Sequence, residues 1–450
     1  MTNFCVSRMV LRVCGLMCAL ILICVSSPVM AVGDRADSTP EAQNPLGAPQ
    51  DLWYFAKQAG MDTVLLPLEE QTKRDARTNQ LFFSPWQQGR PSVKAKQFQA
   101  NLLKKARGYH GETPWSQAAW NTLLKVANVS GYPSPCGPAI VTRHTDLRAM
   151  PTAQPLYLEP TAQAAMDFFD FFQYASLPLG TPVYVSHVSA DTSWLYVEYP
   201  LVSGWVRAED VALVSKAFCR AYAHGSYAVS VQDAVPLVAD SGELVGTSYV
   251  GSVFPRAQEP DRIFVPVRQA DGTARVESLS PPAGTVVPKP LTLTPANLAR
   301  IGTAMMGQPY GWGGCNQLRD CSLTTRDIFL PFGLWLPRNS RVQVNSGRYK
   351  KIDHLSPEAR KRTVLHEAKP FMTLLGFPGH VGLYVGTYAD QPVMLHNILG
   401  LRTHKAEEFY RHIIGKCHLS TLEVGKNDPQ MELSETLLER LRALRHLESF

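Results

Sequence analysis

The 450-residue sequence is short of the features that mark several common protein classes. Charged residues make up only 18% of it, and no dense Lys/Arg stripe interleaves with aromatics, which argues against nucleic-acid binding. Paired-cysteine zinc spacing is absent. His366-Glu367 could open a zinc-protease helix, but position 370 is proline where the second histidine belongs. No metal and no cofactor are therefore expected. The longest apolar run, Val13 to Val25, falls short of the ~20 residues that a membrane span needs.

That run is nevertheless informative. Arg8 and Arg12 precede it and Val29-Met30-Ala31 follows, the pattern of a secretory signal peptide over residues 1–31, cleaved after Ala31. Cys24 raises a lipoprotein alternative, which Ile23 disfavours because a small residue is wanted before a lipidated cysteine. The expectation is an exported protein of the periplasm or cell envelope, without a stable span, acting as a monomer. Cys5, Cys14, Cys18 and Cys24 would leave with the signal. Cys136, Cys219, Cys315, Cys321 and Cys417 would remain, an odd number that leaves at least one thiol unpaired. Cys136 and Cys219 are the first pair to test for a disulfide. The formal charge of +6 would fall to about +4 once Arg8 and Arg12 leave with the signal, which suits loose attraction to an anionic polymer such as a cell wall.

At 45% hydrophobic residues the chain is globular, and its length calls for several domains. Residues 32–130 read as mostly helical, with apolar repeats at Phe98, Leu102 and Ala106 and at Trp120, Leu123, Leu124 and Ala127. This region is too thin for a core of its own and should pack on the rest. Residues 133–214 change to short strands, such as 182–185 and 193–197 around a turn at 190–192, then Gly204-Trp205-Val206, which argue a small barrel. With Leu147-Arg148-Ala149-Met150-Pro151 as its opening segment, this stretch resembles the bacterial SH3 family, with a helical insert expected near 161–172. Residues 218–283 look like a second, more divergent barrel of that type. A Pro-rich joint leads to residues 292–424, where Thr294-Pro295 starts a helix that Gly307 stops. Residues 425–450 are expected to close the chain with an amphipathic helix over about 432–446.

Three features carry chemistry. Cys321, in Asp320-Cys321-Ser322, precedes a helical run, and a helix N-terminus favours a thiolate nucleophile. In Gly379-His380-Val381-Gly382-Leu383-Tyr384, alternation sets His380, Gly382 and Tyr384 on one strand face, and the flanking glycines leave the imidazole room. His396, on the next strand, can reach His380. The first imidazole would take the thiol proton and the second would orient it.

Together with Gln308-Pro309-Tyr310-Gly311-Trp312-Gly313-Gly314, these motifs resemble the NlpC family of papain-like cell-wall cysteine peptidases. The resemblance implies a multidomain α+β chain: a helical N-terminal region, two small SH3-like β-barrels and a papain-like catalytic domain. It implies Cys321, His380 and His396 as catalytic residues, with Tyr310 helping to stabilise the oxyanion. Asp320 and Ser322 would hold the free amine of an L-alanine, while Arg338 and Ser340 would line the D-glutamate side of the groove. The implied partner is a peptidoglycan stem peptide, cut between γ-D-glutamate and a diamino acid. The alternatives are a hydrolase of another wall amide, such as muramoyl-L-alanine, or an inert wall-binding protein. Where the family usually has glycine after Asp-Cys-Ser this chain has Leu323, which either narrows the groove or packs into the core.

Overall fold

The structure, a computed structural model, describes residues 46–103, 108–160, 169–403, 411–426, 428 and 431–448. The expected signal segment lies outside these residues, as does 161–168 of the expected insert; residues 169–172 are coil and a turn. Among the described residues no helix is long and apolar enough to cross a membrane.

The first helices are α1 (Leu52–Gln58), α2 (Leu68–Phe82) and α3 (Ala95–Leu103); a hairpin of β1 (Tyr109–His110) and β2 (Thr113–Pro114) precedes α4 (Gln117–Val126). Asp51 and Ser116 cap α1 and α4 by accepting from Trp53 and Ala119 backbone N–H groups. These helices build no core of their own. Leu52, Phe55 and Ala56 share a core with Leu298, Val381 and Leu383, far along the chain. Phe82 and Phe83 pack with Val183 and Tyr227, whereas Phe98 and Trp120 join Tyr132, Trp194 and Trp205. Apolar stripes of thin helices are thus buried on three separate surfaces.

Next come β3 (Gly137–Val141), β4 (Thr145–Arg148), β5 (Gln173–Leu177), β6 (Pro182–Val188), β7 (Trp194–Tyr199), β8 (Val202–Arg207) and β9 (Val211–Leu213). They form one seven-stranded sheet in the order β5-β4-β8-β7-β6-β3-β9, with antiparallel pairings. Helix α5 (Lys216–Tyr222) leads to β10 (Tyr227–Ser230), β11 (Val235–Val238), β12 (Leu244–Ser248), β13 (Val253–Pro255), β14 (Ile263–Arg268), β15 (Ala274–Leu279) and β16 (Val286–Lys289). These seven do not join one sheet. A β13-β10-β16 ladder and the hairpins β11-β12 and β14-β15 surround Leu237, Phe254, Val265 and Leu279. Cys136 and Cys219 are both free thiols, contrary to the pairing considered from sequence. They belong to separate elements: Cys136 N–H donates to Val185 O on β6, and Cys219 N–H to Ser215 O at the start of α5.

The last part begins with α6 (Pro295–Met305), capped by Thr294 and followed by Gly307 at φ 78°. There follow α7 (Cys321–Phe329), α8 (Ser340–Asn345), β17 (Tyr349–Lys351), α9 (Pro357–Glu367), β18 (Thr373–Phe377), β19 (His380–Tyr388), β20 (Gln391–Arg402), β21 (Arg411–Thr421), α10 (Leu437–Arg440) and β22 (Ala443–His446). The sheet order is β17-β22-β18-β19-β20-β21. Both of its faces are covered, with Val381, Leu383 and Leu395 toward one core and Tyr384, Met394 and Ile398 toward another.

The expected helix over 432–446 is not what forms. Only one turn, α10, is helical, and β22 inserts between β17 and β18. Leu438, Leu441 and Leu444 fit a helical spacing, but the sheet covered on two sides also accepts them at period two: Ala443 enters one core and Leu444 the other. Arg445, fully buried, donates to Gln343 O and ties the strand to α8.

Candidate active site

Helix α7 starts at Cys321 because Asp320 caps it. Asp320 Oδ1 accepts from the Ser322 and Leu323 N–H groups at 3.1 and 2.9 Å. The buried Cys321 thiol accepts from its own helix end, at Ser322 N–H, and from Val381 N–H on β19. Cys321 is thereby held one residue away from His380. His380 Nε2 lies 2.9 Å from Nδ1 of His396 on the neighbouring strand β20, and His396 Nε2 lies 2.9 Å from Ser420 Oγ on β21. His396 and His418 are cross-strand partners with ring centroids 4.4 Å apart.

The glycines around His380 serve other ends than the room expected for its imidazole. A Cβ on Gly382 would come within 2.7 Å of Met394 Sδ and 3.2 Å of His396 Cβ, so it is β20 that needs the space. Gly379 has open space around it and a φ of 73°, which a turn ahead of β19 requires.

Burial governs the charge state. Burial, then the Asp320 charge, push the Cys321 thiol up to about 12, against the pull of Val381 N–H, Arg338 and Ser322 N–H. Burial, then Arg440 and His418, bring His380 down to about 3. Both shifts favour the neutral thiol and the neutral imidazole over the thiolate that the helix N-terminus alone suggests. Desolvation outweighs the helix end here.

Asp320 does not await an ammonium partner. Arg338 Nη2 donates to Oδ2 at 2.6 Å and Nη1 to Oδ1 at 3.2 Å, while Gly313 N–H and Ser322 Oγ also donate to the carboxylate. Burial alone would raise its pKa, but Arg338 and the N–H groups hold it below the usual carboxylate range. Arg338 Nη1 also donates to Ser322 Oγ at 2.8 Å. Asp320, Ser322 and Arg338 therefore form one cluster rather than two facing subsites.

This cluster and Cys321 line a groove of about 430 Å³ with Tyr310, Trp312 and Ser340, and the seven-stranded sheet contributes Tyr174, Leu201 and Val202 to its wall. Tyr310, half-buried, is held by its N–H donating to Gly415 O at 2.8 Å. Ser340 opens α8, whose cap is Asn339. Trp312 is fixed by Nε1 donating to Asp170 O at 3.0 Å and by the edge of Phe169 at 4.7 Å, so it packs and lines the groove at once.

The sequence matches three family models: the NLPC_P60 stabilising domain at residues 14–132, an SH3 domain of the SH3b1 type at 155–207, and the NlpC/P60 family at 307–415. The chain thus carries an NlpC/P60 domain at residues 307–415. Among solved structures, an NlpC/P60 endopeptidase from Photobacterium damselae subsp. piscicida superposes with a TM-score of 0.81 at 22% identity, over 90% of this chain and 98% of its own. An NlpC/P60 family protein from Bacillus cereus aligns with a TM-score of 0.45 at 16% identity, over 69% of this chain and 99% of its own. No match was found among the curated proteins.

Against the usual NlpC/P60 motif, Leu323 stands apart for a structural reason. It is buried and turned away from the groove, toward Gly314, where a Cβ would lie 2.9 Å from Leu323 Cδ2 and 2.4 Å from Ser176 Oγ. The leucine fills the seam between α7 and β5. Sequence reasoning missed Ser420, His418, Gln343 and Tyr174. Lys416-Cys417-His418-Leu419-Ser420 alternates in polarity, a legible signal for the first two. Gln343 is fully buried and donates to Ser322 O and Pro337 O, both at 2.7 Å; nothing in its neighbours foretold that.

Proposed function

We propose that the protein is an exported peptidoglycan hydrolase, a cysteine endopeptidase that cuts the γ-D-glutamyl–diamino acid amide of muropeptides with a free N-terminal L-alanine. The observation that carries this reading is Cys321 at the capped start of α7, bonded to Val381 N–H beside the His380–His396 pair, in an open groove. As the thiol attacks the amide carbon, His380 takes its proton, and the acyl group passes to sulfur. The proton then leaves with the amine, and water, activated by the same imidazole, releases the acid. His396 orients His380. Cys321 N–H, at the helix start, and the Tyr310 hydroxyl stabilise the oxyanion. Arg338, its guanidinium held by Asp320 and Ser322, lines the side of the groove that would take a γ-linked D-glutamate, with Ser340 alongside. Tyr174, Leu201 and Val202 close one side of the groove, which favours the end of a stem over a chain that continues into glycan.

The test is incubation with L-Ala-γ-D-Glu-diamino acid peptides, free and N-acetylated, and with purified sacculi, followed by mass spectrometry. Release of L-Ala-γ-D-Glu from the free peptide is expected. Cleavage only at muramoyl-L-alanine, or equal rates on free and acetylated peptides, would refute the assigned bond or the assigned end preference respectively.

A further inference from the structure

Beyond the three residues given catalytic roles, the hydrogen-bond chain runs on to a fourth, and its chemistry decides whether His380 can act as a base. Only one proton can lie between His380 Nε2 and His396 Nδ1, 2.9 Å apart. If His380 donates, its Nδ1 carries a bare lone pair and His396 must hold its own proton at Nε2, aimed at Ser420 Oγ, 2.9 Å away. If His396 donates instead, His380 is protonated at Nδ1 and cannot accept from a thiol, and His396 Nε2 becomes an acceptor. The first arrangement needs an oxygen acceptor at the far end of the chain; the second needs a donor there.

We propose that Ser420 is a positioning residue that selects the base-competent tautomer by accepting from His396 Nε2–H. This rests on the reading of His380 as the base. Ser420 is fully buried on β21, on the face that also carries His418. His418 Nδ1 lies 3.0 Å from Lys416 O, which fixes its proton there and leaves Nε2 as a bare acceptor without a partner. That ring therefore sends no competing Nε2–H toward Ser420 Oγ. Removing the hydroxyl would leave a buried N–H without an acceptor in the competent tautomer, but only a bare nitrogen in the incompetent one.

Long-range proton–nitrogen spectra of imidazole-labelled protein read the tautomer without any substrate. The expected result is Nε2–H for His396 in the parent and a shift toward Nδ1–H in Ser420→Ala. In peptide hydrolysis, Ser420→Ala should lower kcat by about tenfold or more with KM within about twofold, and Ser420→Thr should recover most of the loss. In a His396→Ala background the same change should alter kcat less than about twofold. Nδ1–H at His396 in the parent would overturn the proposal, as would equal losses in both backgrounds. The parent spectrum decides alone if Ser420→Ala does not fold. A parent that leaves the peptide uncut defeats the functional reading and leaves the tautomer assignment to stand or fall on the spectra.

Discussion

Arg338 and Asp320 meet through two hydrogen bonds, at 2.6 and 3.2 Å, one residue before Cys321, with both side chains about nine-tenths buried. The pair caps α7, sets the charge beside the thiol and forms part of the groove wall. Removing one member leaves the other as an unpaired buried charge.

Arg338→Met should therefore destabilise the protein by about 3–5 kcal/mol in denaturant unfolding, whereas Arg338→Met with Asp320→Asn should recover a good part of that loss. A single variant as stable as the parent would show that the pair contributes little.

Cys321→Ala should abolish hydrolysis while leaving the unfolding transition in place. His380→Ala should lower kcat by about 10²–10⁴, and His396→Ala should cost less, because the base it orients is still present. Steady-state rates on one muropeptide check the order. Residual turnover of Cys321→Ala near the parent's would exclude it as nucleophile.

Leu323 faces the seam with β5, so its replacement should read out as stability and not as specificity. Leu323→Ala is expected to cost about 2–5 kcal/mol, with KM within about twofold. A large change in KM would mean that the leucine shapes the groove after all.

Acid should affect activity and stability differently. Burial lowers His380 to about 3, and His144 and His418 each to about 4. Because His380 stays neutral far below the ordinary histidine range, the acid limb of kcat/KM should lie well under pH 6. Stability behaves otherwise. Between the unfolded value of about 6.5 and these folded values the unfolded chain binds more protons, so stability is complete above about pH 6.5 and falls as pH drops. Melting temperatures measured from pH 7.5 to 4.5 should decline steadily, and His418→Gln should flatten the decline. A flat profile would contradict the buried neutral state.

Much of the catalytic part was legible because its signals are local. Thr294-Pro295 and Gly307 bound α6, Asp320 caps α7, and alternation around His380 and His396 sets two adjacent strands. What escaped depends on distant partners. Alternation gave Val381 one face and His380 the other, but not that both faces are covered. The helical spacing in 432–446 was real and lost to pairing with β17 and β18, a choice that tertiary contacts make. Burial opposes the expected thiolate, and a helix N-terminus is visible in sequence whereas depth of burial is not. Arg338 was placed at the groove, but its guanidinium is turned to Asp320, a partner eighteen positions earlier that no spacing rule predicts.

The insertion of β22 between β17 and β18 has a consequence for the order in which the molecule can be completed. A ribosome makes Cys321, His380 and His396 well before it makes Ala443–His446, yet β18, the strand beside β19, stays a bare edge until β22 arrives. At the other end, Leu52 and Phe55 are made first and must wait for Val381 and Leu383 before they have anything to cover. A chain interrupted between Ser420 and Ala443 would thus hold Cys321, His380, His396 and Ser420 and still lack the strand that covers β18, so the sheet behind these side chains would be unfinished.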